Sequence, residues 1–454
     1  MTRVNGGRLL AAQVGAAVRE RRAFTADVLD SHLGKARLAR EDAAVARVLA
    51  LGVTSTLGTL DETIDRCLNS PDDVQDDVRD CLRVSTYEIL FLEKAGYAAV
   101  DQGVELVRAV QPKASRLANA VLRKVLKAAE EFPYGDPATD DAALARSFGF
   151  PLWLARDLAE WFGREEAARF MHACNQPAPV FFAVNACKAD EAEVRRAFAR
   201  EHVQLRDVRL AKQGEPVPGC LFAPVQTAVG SHAARRYFGE GHLLVSDAAA
   251  QAIAQLALPQ TKPERFLEVG SGRGTKTILL QSGAQRRWGS QMDLTALDFH
   301  GFKADLLRKR AQEYGIELSD AVCADARKPP ANLGEFDTVF VDAPCSGLGT
   351  LRRHPEIRWR LKPEAIGQMA DVSLGILQGV ASHVASGGRL VFATCTVSPQ
   401  ENEYTVKRFL ESPEGSAFKI EPCSANGLSK LFFKTRLAAE GCDAHFAAVL
   451  NRVG

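Results

Sequence analysis

Two cysteines, each close behind a short apolar run, are the residues of this chain whose type and placement best fit covalent chemistry. Cys345 closes the sequence Asp342-Ala343-Pro344-Cys345 after the run 338–342, and Cys395 follows the run 389–393. Such runs are typical of buried parallel strands, and open α/β sheets form their ligand sites at the carboxyl ends of those strands. Two thiols at one such edge indicate nucleophilic catalysis rather than packing.

A glycine-rich loop after a third strand candidate is the next feature with chemical meaning. It follows Glu268 and Val269 and leads into a helical pattern, so that glycines allow close approach of a ligand and the helix start supplies N–H donors. Its spacing fits neither the dinucleotide pattern Gly-x-Gly-x-x-Gly nor Walker A, and it favours S-adenosylmethionine. The loop consists of Gly270, Ser271, Gly272, Arg273, Gly274, Thr275 and Lys276.

Three acidic residues at predicted strand ends are candidates to bind the parts of this cofactor that the loop does not hold. Asp298 ends the candidate 294–298, where a carboxylate suits a ribose diol. Asp325 follows the candidate 321–324 and is placed to accept from an adenine amine. Asp342 is expected to bind either a base edge or the cofactor. Lys276 is interpreted as the positive charge that favours a thiolate, as a contact to the base, or as a solvated lysine.

The Pro-Cys sequence limits which atom of a base can accept the methyl group. Enzymes that methylate exocyclic amines have Asp/Asn-Pro-Pro-aromatic at this place, whereas this chain has Cys345 where the aromatic residue would be. A thiolate that adds to C6 of a pyrimidine makes C5 able to take a methyl group from a sulfonium. Loss of the C5 proton then releases the thiol, and a second thiol can assist as acid or base. The target base is expected to flip out of its stack.

The elements that must position these residues fall into three regions. Residues 1–133 have helical periodicity only, enough for five to seven helices, and residues 134–241 contain a linker and a small α+β module with strands at 180–184 and 204–210 around a helix at 191–199. Residues 242–454 alternate strands with helices, which predicts a doubly wound α/β domain. Its strands are predicted at 266–269, 294–298, 321–324, 338–342, 389–393 and 445–451, and its helices at 275–281, 301–314, 366–385 and 401–411.

Two basic segments have two interpretations each. One side of a predicted helix is either a solvated face or a stripe that contacts phosphates, and it carries Lys113, Arg116, Arg123 and Lys127. Residues 352–359, Arg-Arg-His-Pro-Glu-Ile-Arg-Trp, are either a nucleic-acid contact or a solvated charged loop.

Composition excludes several classes of protein. The chain has 454 residues, a net charge of +1, 46% hydrophobic residues and 25% charged residues, as expected for a globular protein of several domains. No segment approaches the roughly 18 apolar residues of a membrane span, and we expect a cytoplasmic protein that binds no membrane. The ten cysteines include no Cys-x-x-Cys pair, so neither a disulfide framework nor a metal site is expected.

These motifs resemble the Nol1/Nop2/Sun family of RNA cytosine-C5 methyltransferases. Residues 342–346 and 394–397, with Gln-Glu-Asn-Glu at 400–403, look like its two signature motifs. Residues 87–92 and 118–123 are similar to stretches of the NusB-type RNA-binding domain of the bacterial Sun/Fmu subgroup, which methylates a cytosine in 16S ribosomal RNA. Two segments depart from the family: 270–276 replaces Cys-Ala-Ala-Pro-Gly-Gly-Lys, and Asp-Ala-His-Phe at 443–446 replaces Asp-Gly-Phe-Phe.

The resemblance implies an all-α NusB-like domain followed, after the small module, by a Rossmann-like class I methyltransferase domain that uses S-adenosylmethionine. It implies that Cys395 is the nucleophile and that Cys345 helps the product leave, which the residues alone leave open. It also implies cofactor contacts from the loop 270–276 and from Asp298, Asp325 and Asp342. The expected partner is RNA, with 16S rRNA as the substrate, and the chain is expected to act as a monomer. The alternatives are a tRNA substrate and an RNA-binding or assembly protein without catalysis.

Overall fold

The computed structural model of the chain describes residues 4–211, 214–224, 226–425 and 428–453. Contacts within the chain divide it into two units. The first unit consists of residues 1–176 and 351–363, and the second consists of residues 177–350 and 364–454. The domain boundaries predicted near residues 133 and 241 stay predictions.

The first unit is helical, which confirms the prediction of an all-α N-terminal region. Among its described residues, seven α-helices fall between residues 6 and 128, and three more follow before residue 175. They are α1 (Gly6–Arg21), α2 (Thr25–Lys35), α3 (Arg40–Ser55), α4 (Leu57–Cys67), α5 (Asp76–Leu90), α6 (Gly96–Val110), α7 (Ser115–Ala128), α8 (Asp141–Phe148), α9 (Leu152–Phe162) and α10 (Arg164–Cys174). Within the described part of the chain, no single helix meets the length and apolarity of a membrane span, and α3 with α4 does so only as a pair bent by 80°.

Local sequence explains where several of these helices begin and end. The side chain of Asn5 accepts from the Arg8 N–H at the start of α1, and that of Asp140 accepts from the Ala142 N–H at the start of α8. Gly149, in the left-handed conformation with φ of 65°, ends α8. Side-chain acceptors at the first position and glycine after the last one satisfy backbone groups that lack partners inside a helix.

Helix α7 separates an apolar side from the predicted basic stripe. Its buried residues recur with the spacing of one helix face: Ala118, Val121, Leu122 and Val125. The stripe residues are exposed: Lys113, Arg116, Arg123 and Lys127. Exposure agrees with a solvated face and with a phosphate contact alike, so the phosphate-contacting stripe stays a prediction.

Segment 351–363 is embedded in the first unit, where it reaches the carboxyl ends of several helices. Arg358 is fully buried, and its Nη1 donates to the carbonyls of Ser55 and Gly149 at 3.2 Å each and to Asn175 Oδ1 at 3.0 Å. Its guanidinium also lies 4.0 Å from the ring centroid of Phe150. These acceptors lie at the ends of α3, α8 and α10, where carbonyls lack helical partners and cations are favoured.

Two neighbours of Arg358 act in the same way. Trp359 Nε1 donates to the Thr54 carbonyl at 2.8 Å, and Arg360 donates to the carbonyls of Arg22 and Ala23 just after α1, at 3.0 and 2.7 Å. Both interpretations of residues 352–359 are therefore wrong for Arg358, which neither meets solvent nor presents its charge to a nucleic acid. A basic and aromatic segment predicts a positive charge, but the sequence does not show that carbonyl groups at helix ends will accept hydrogen bonds from its side chains.

The second unit begins with a small antiparallel sheet in the strand order β2-β3-β1-β4. Its elements are β1 (Phe181–Val184), α11 (Glu191–Arg200), β2 (Arg206–Asp207), β3 (Cys220–Phe222), α12 (His232–Gly239) and β4 (Leu243–Val245). The α+β module is thus confirmed, although the strand predicted at 204–210 is only two residues long and β3 and β4 are absent from the prediction. Strands of three residues are too short to show the alternation by which a strand is recognised.

The larger sheet of this unit has the order β10-β14-β9-β8-β5-β6-β7, with β13 paired to β14. Strands β9, β8, β5, β6 and β7 are parallel, and β14 is antiparallel to β9, which confirms the Rossmann-like doubly wound fold. The strands are β5 (Phe266–Val269), β6 (Leu294–Asp298), β7 (Asp320–Cys323), β8 (Phe336–Asp342), β9 (Val384–Thr394), β10 (Phe418–Glu421), β11 (Cys423–Ala425), β12 (Leu428–Lys430), β13 (Phe433–Lys434) and β14 (Phe446–Arg452). The helices are α13 (Ala248–Ala257), α14 (Thr275–Trp288), α15 (Gly301–Tyr314), α17 (Pro363–Ala381), α18 (Glu403–Leu410) and α19 (Leu437–Glu440), with α16 (Ile357–Arg360) in the segment embedded in the first unit.

Side chains alternate between the two faces of this sheet, and each face has its own apolar core. Val391 and Ala393 of β9 pack in one core with Phe340, whereas Leu390 and Phe392 pack in the other. In β5, β6, β8 and β9, the residue two positions after the last apolar residue of the first face is polar or reactive. These positions are Glu268, Asp298, Asp342 and Cys395.

Candidate active site

The two predicted cysteines lie together at the carboxyl end of the parallel strands. The Sγ atoms of Cys345 and Cys395 are 3.3 Å apart, and the backbone N–H of Cys395 donates to Cys345 Sγ at 3.4 Å. The hydrogen bond from Cys345 lowers the pKa of Cys395, as does nearby Lys276, against the opposing effect of burial. The same hydrogen bond and burial raise the pKa of Cys345. The pair can therefore hold one thiolate, on Cys395, beside one thiol.

The buried carboxyl group of Glu401 connects the loop that contains Cys345 to the loop that contains Cys395. Glu401 accepts from the backbone N–H and the hydroxyl of Ser346, at 2.6 Å each, and from the hydroxyl of Thr396 at 3.1 Å. The Ser346 and Thr396 hydroxyls are themselves 2.7 Å apart. Burial raises the pKa of Glu401, and these donors partly offset that rise. One side chain thus links the residue after Cys345 to the residue after Cys395.

Asn402 fixes the Cys395 loop from its other side. Its Oδ1 accepts from the Thr394 hydroxyl at 2.6 Å, and its Nδ2 donates to the Thr396 carbonyl at 3.0 Å. This task explains why α18 begins at Glu403 rather than at the predicted residue 401. Neither Glu401 nor Asn402 was predicted as a site residue, although both belong to the signature-like segment 400–403, which was the available signal.

Lys276 and Asp342 form an ion pair on the same face of the sheet. Lys276 Nζ lies 2.6 Å from Asp342 Oδ2. Burial works to lower the pKa of Lys276, but the Asp342 carboxylate outweighs it and raises that pKa. Lys276 is therefore held as a cation near Cys395, and the interpretation of Lys276 as a solvated lysine is wrong, since its side chain is only 16% exposed.

The glycine loop approaches Asp342 more closely than any side chain would allow. Gly270 has φ of 81°, and a Cβ added there would lie 2.3 Å from the Asp342 carbonyl oxygen. Gly274 has φ of 82° and directly precedes α14. The Gly272 N–H donates to Asp298 Oδ2 at 2.9 Å, which ties the loop to the end of β6. The loop is thus fixed between two of the predicted cofactor acids.

The three remaining loop residues have different surroundings. Ser271 is buried, and its N–H donates to the Leu297 carbonyl at 3.3 Å. Arg273 is exposed, and Arg310 Nη1 donates to its carbonyl at 2.7 Å and to the Thr275 hydroxyl at 3.4 Å. The Arg273 side chain therefore points its charge to solvent.

Glu268 is one of the buried polar residues for which the described part of the chain supplies no close hydrogen-bond partner, and the Thr277 hydroxyl is another. It is fully buried, and neither carboxylate oxygen accepts a hydrogen bond from the described part of the chain. Burial raises the pKa of Glu268 to about 8. An enclosed acid of this kind fits a cationic group of a ligand, since a positive charge would stabilise its ionised form. Glu268 was noted in the sequence as part of the loop but was not predicted as a site residue.

Asp325 differs from the other predicted acids. It lies after β7, and both its oxygens accept from the Arg327 side chain, with the shortest distance 2.7 Å. The hydrogen bonds from Arg327 lower the pKa of Asp325. The structure thus brings together the two thiols, Lys276, Asp342, Asp298 and the glycine loop, whereas Asp325 is already engaged in a surface ion pair.

Two family models match the chain. Residues 255–450 match the model described as 16S rRNA methyltransferase RsmB/F, and residues 6–127 match the NusB family. The first match contains the glycine loop, both cysteines and Glu401, and the second covers helices α1 to α7.

Curated relatives and solved structures agree with these matches over most of the chain. The "Probable ribosomal RNA small subunit methyltransferase B" of Synechocystis sp. is 30% identical over 406 residues, which cover 87% of each chain. The protein of the same name from Bacillus subtilis (strain 168) is 28% identical over 397 residues, which cover 86% of this chain and 85% of that one. The crystal structure of PH0851 superimposes with a TM-score of 0.77 at 22% identity, covering 100% of this chain and 99% of that chain, which supports the fold alone.

Proposed function

The chain belongs to the RsmB/F family of 16S rRNA methyltransferases, and we propose that it makes 5-methylcytosine in 16S rRNA through a covalent bond between Cys395 and C6 of the target base. It is an S-adenosylmethionine-dependent RNA methyltransferase. The observation that carries the proposal is the pair of thiols 3.3 Å apart beside the Lys276–Asp342 ion pair. The predicted cytoplasmic location agrees with a ribosomal RNA substrate and stays a proposal.

The residues around the glycine loop fit the cofactor. When bound, S-adenosylmethionine supplies an electrophilic methyl group on a sulfonium. The buried, unpartnered carboxyl of Glu268 suits its cationic amino acid portion, and the carboxylate of Asp298 retains acceptor capacity for ribose hydroxyls. Gly270 and Gly274 have positive φ and let the loop pack directly against Asp342 and Leu307, which a side chain at either position would prevent, so the two glycines fix the path of the loop.

Cys395 is proposed to begin the reaction as a thiolate. Its sulfur forms a bond to C6 of cytosine, and the electron pair of the C5–C6 double bond moves to C5, which would then take the methyl group while the sulfonium sulfur keeps the electron pair of the broken bond to that methyl. The Cys345 thiol, which donates to Cys395, and the Lys276 ammonium both favour the thiolate that this attack requires. Asp342, held by Lys276, lies on the same face and is placed to accept from the amino group of the base.

Cys345 is proposed to act when the product leaves. After methyl transfer, water takes the C5 proton, the electrons of the C5–H bond restore the C5–C6 double bond, and the bond between C6 and Cys395 breaks with its electron pair on the Cys395 sulfur. A thiol of raised pKa, 3.3 Å from the departing sulfur, suits proton exchange with Cys395 at that step. Glu401 keeps both loops in place throughout, because it binds Ser346 and Thr396 at once.

The test uses the full chain, S-adenosylmethionine carrying a labelled methyl group, and 16S rRNA from a deletion strain. Cys395→Ala should abolish methyl transfer because C6 then has no nucleophile. Cys345→Ala should accumulate a protein–RNA adduct that survives denaturing electrophoresis, because attack proceeds and release does not. Bisulfite sequencing of rRNA and tRNA from the deletion strain and from its parent identifies the target as the cytosine that is methylated only in the parent.

Cys187→Ala is the matched control, since burial raises the pKa of Cys187 to about 11 and it lies in the small module. It should methylate RNA as the wild-type protein does. Methyl transfer that survives Cys395→Ala would refute the covalent mechanism. An adduct that forms in Cys395→Ala instead of Cys345→Ala would reverse the two roles.

A further inference from the structure

A buried histidine at the start of β14 lies on the same face of the sheet as the nucleophile. The register of β14 on β9, continued by one residue beyond its last pair, places His445 opposite Cys395. Ala447 packs in the same core as Ala393, and these two residues lie two positions from His445 and Cys395. Because side chains on one face of a strand recur every two residues, His445 and Cys395 share the face that holds the site.

Backbone contacts fix the segment of His445 relative to that of Cys395. The Gly349 N–H donates to the Cys395 carbonyl at 2.9 Å, and the Gly349 carbonyl accepts from the Ala444 N–H at 3.0 Å. The His445 N–H donates to Thr435 Oγ1 at 2.9 Å. A Cβ added at Gly349 would lie 1.8 Å from the Ala444 carbonyl oxygen, so a side chain at this position would break the bridge. The histidine is therefore held at a defined place beside the Cys395 loop.

The imidazole of His445 is buried without a hydrogen-bond partner for Nδ1. The residue is 6% exposed, and no atom in the described part of the chain forms a hydrogen bond with this nitrogen. Burial is the main cause that lowers the pKa of His445 to about 4, and the Lys276 cation is the next. The opposing groups are Asp247, Asp342 and the Asp443 backbone. The ring is therefore neutral near pH 7, with one nitrogen that carries a hydrogen and one that accepts.

The proposed reaction requires a proton acceptor at this place after methyl transfer. The C5 proton leaves from the carbon next to the one that Cys395 holds, and water alone is a weak base for it. Nearby groups already have other tasks, since Lys276 and Asp342 form an ion pair and Cys345 serves the departing sulfur. A buried polar nitrogen without a protein partner ordinarily binds a water molecule. His445 is thus suited to hold the water that the reaction needs.

We propose that His445 positions the water that takes the C5 proton and then receives a proton from that water. The C5–H bond breaks, and its electron pair restores the C5–C6 double bond while the proton passes to the water oxygen. The water gives one of its own protons to the imidazole nitrogen that carries none, and the imidazolium returns it to solvent after the product leaves. The inference rests on the proposed function and adds a positioning residue to it. The family's Asp-Gly-Phe-Phe has phenylalanine at this place, so the residue is a departure from that pattern.

The test follows a single turnover on 16S rRNA transcribed with tritium at C5 of cytosine, with S-adenosylmethionine that carries a radiocarbon-labelled methyl group. In the wild-type protein, tritium should enter water as fast as methylated RNA is released. His445→Phe removes both ring nitrogens. It should transfer the methyl group at the wild-type rate but release tritium about 100-fold more slowly, the lower end of what a positioned acid–base group contributes. A covalent adduct that contains both labels should accumulate, although Cys345 is present.

Two further variants separate proton transfer from packing. His445→Gln keeps an amide that can bind a water but cannot take a proton from it, so methyl transfer should proceed and tritium release should stay slow. His383→Gln is the matched control, because His383 is also buried and its Nδ1 lies 2.7 Å from the Gly334 carbonyl, just before β9 at the opposite edge of the sheet. It should release tritium as the wild-type protein does.

The outcomes distinguish the role of His445 from the proposed function. Tritium release at the wild-type rate by His445→Phe would refute the role. Methyl transfer that slows as much as tritium release would refute it too, because His445 would then act before the proton is lost. If circular dichroism shows that His445→Phe is unfolded, the same measurements on His445→Gln decide. A wild-type protein that released no tritium and methylated no RNA would instead overturn the proposed function.

Discussion

Protonation of Glu268 should control the affinity for S-adenosylmethionine. Burial raises the pKa of Glu268 to about 8 in the ligand-free protein, so the carboxyl is mostly protonated at neutral pH. A cationic ligand next to the carboxylate favours its ionised form, so binding expels the proton. With that pKa the cofactor should bind about 50-fold more tightly at pH 8 than at pH 6, with the steepest change below pH 8.

Titration calorimetry at pH 6, 7 and 8, in paired buffers of different ionisation enthalpy, measures both the affinity and the protons released. At pH 7 about 0.9 proton should leave per cofactor bound, since that fraction of Glu268 is protonated beforehand. Glu268→Gln is the matched variant, because it keeps the size of the side chain and removes its titration. Any pH dependence that comes from the ligand itself is shared by both proteins, so their difference isolates Glu268.

The same pKa shift has a second consequence, for stability. Because the folded-state pKa lies above the ordinary value of 4.5, the folded ligand-free protein binds more protons than the unfolded chain. The stability contributed by Glu268 is therefore present below about pH 4.5 and is lost as the pH rises through 8. Glu268→Gln should accordingly raise the free energy of unfolding more at pH 8 than at pH 5. In the calorimetry, equal slopes of log affinity for S-adenosylmethionine against pH in the wild-type protein and in Glu268→Gln would refute the reasoning about Glu268.

Three further perturbations follow from the contacts described above. Arg358→Met should lower the free energy of unfolding of the full chain in urea by about 2 kcal/mol or more, because two buried carbonyls and one part-buried amide oxygen lose their donor; a loss near zero would contradict the role given to segment 351–363. Gly270→Ala should weaken cofactor binding about tenfold or more, since its Cβ would lie 2.3 Å from the Asp342 carbonyl oxygen, whereas the nearest such contact for Gly272→Ala is 3.8 Å and its effect should be smaller. Mild hydrogen peroxide should convert Cys345 and Cys395 to a disulfide with release of two waters, seen as loss of two hydrogen atoms in the intact mass and reversed by dithiothreitol; the same mass change in Cys345→Ala would exclude this pair.

Buried parallel strands were the part of the fold that the sequence revealed best. Most of them contain a short apolar run that is followed by a polar or reactive residue, as at the carboxyl ends of β8 and β9, and this pattern predicted both the strands and the edge at which Asp342 and the two thiols meet. The small sheet was harder to predict from the sequence. Its strands β3 and β4 have three residues each, so pairing with neighbouring strands, rather than a pattern of their own, makes them strands.

The roles of Glu401 in the site and of Arg358 in the first unit could not be predicted from local sequence pattern. Glu401 looked like the first acid of a helix, and only tertiary contacts show that it binds Ser346 and Thr396 instead. Arg358 looked like part of a solvated or RNA-facing segment, and only the positions of three helix ends show where its donors go. In both cases the partner lies far away in sequence, so no local periodicity encodes the contact.

Distance alone does not distinguish the two thiols, since each is 3.3 Å from the other. Their electrostatic surroundings do. Besides the hydrogen bond between the thiols and the effect of burial, Lys276 lowers the pKa of Cys395 against Asp342 and Asp443, whereas Glu401 adds to the raised pKa of Cys345. A negative charge on Cys345 would face Glu401 and forgo the help of Lys276, so the surroundings favour attack by Cys395 and proton exchange by Cys345. A sulfonium bound on this face would add positive charge near Cys395, so the thiolate would be more favoured with the methyl donor bound than without it.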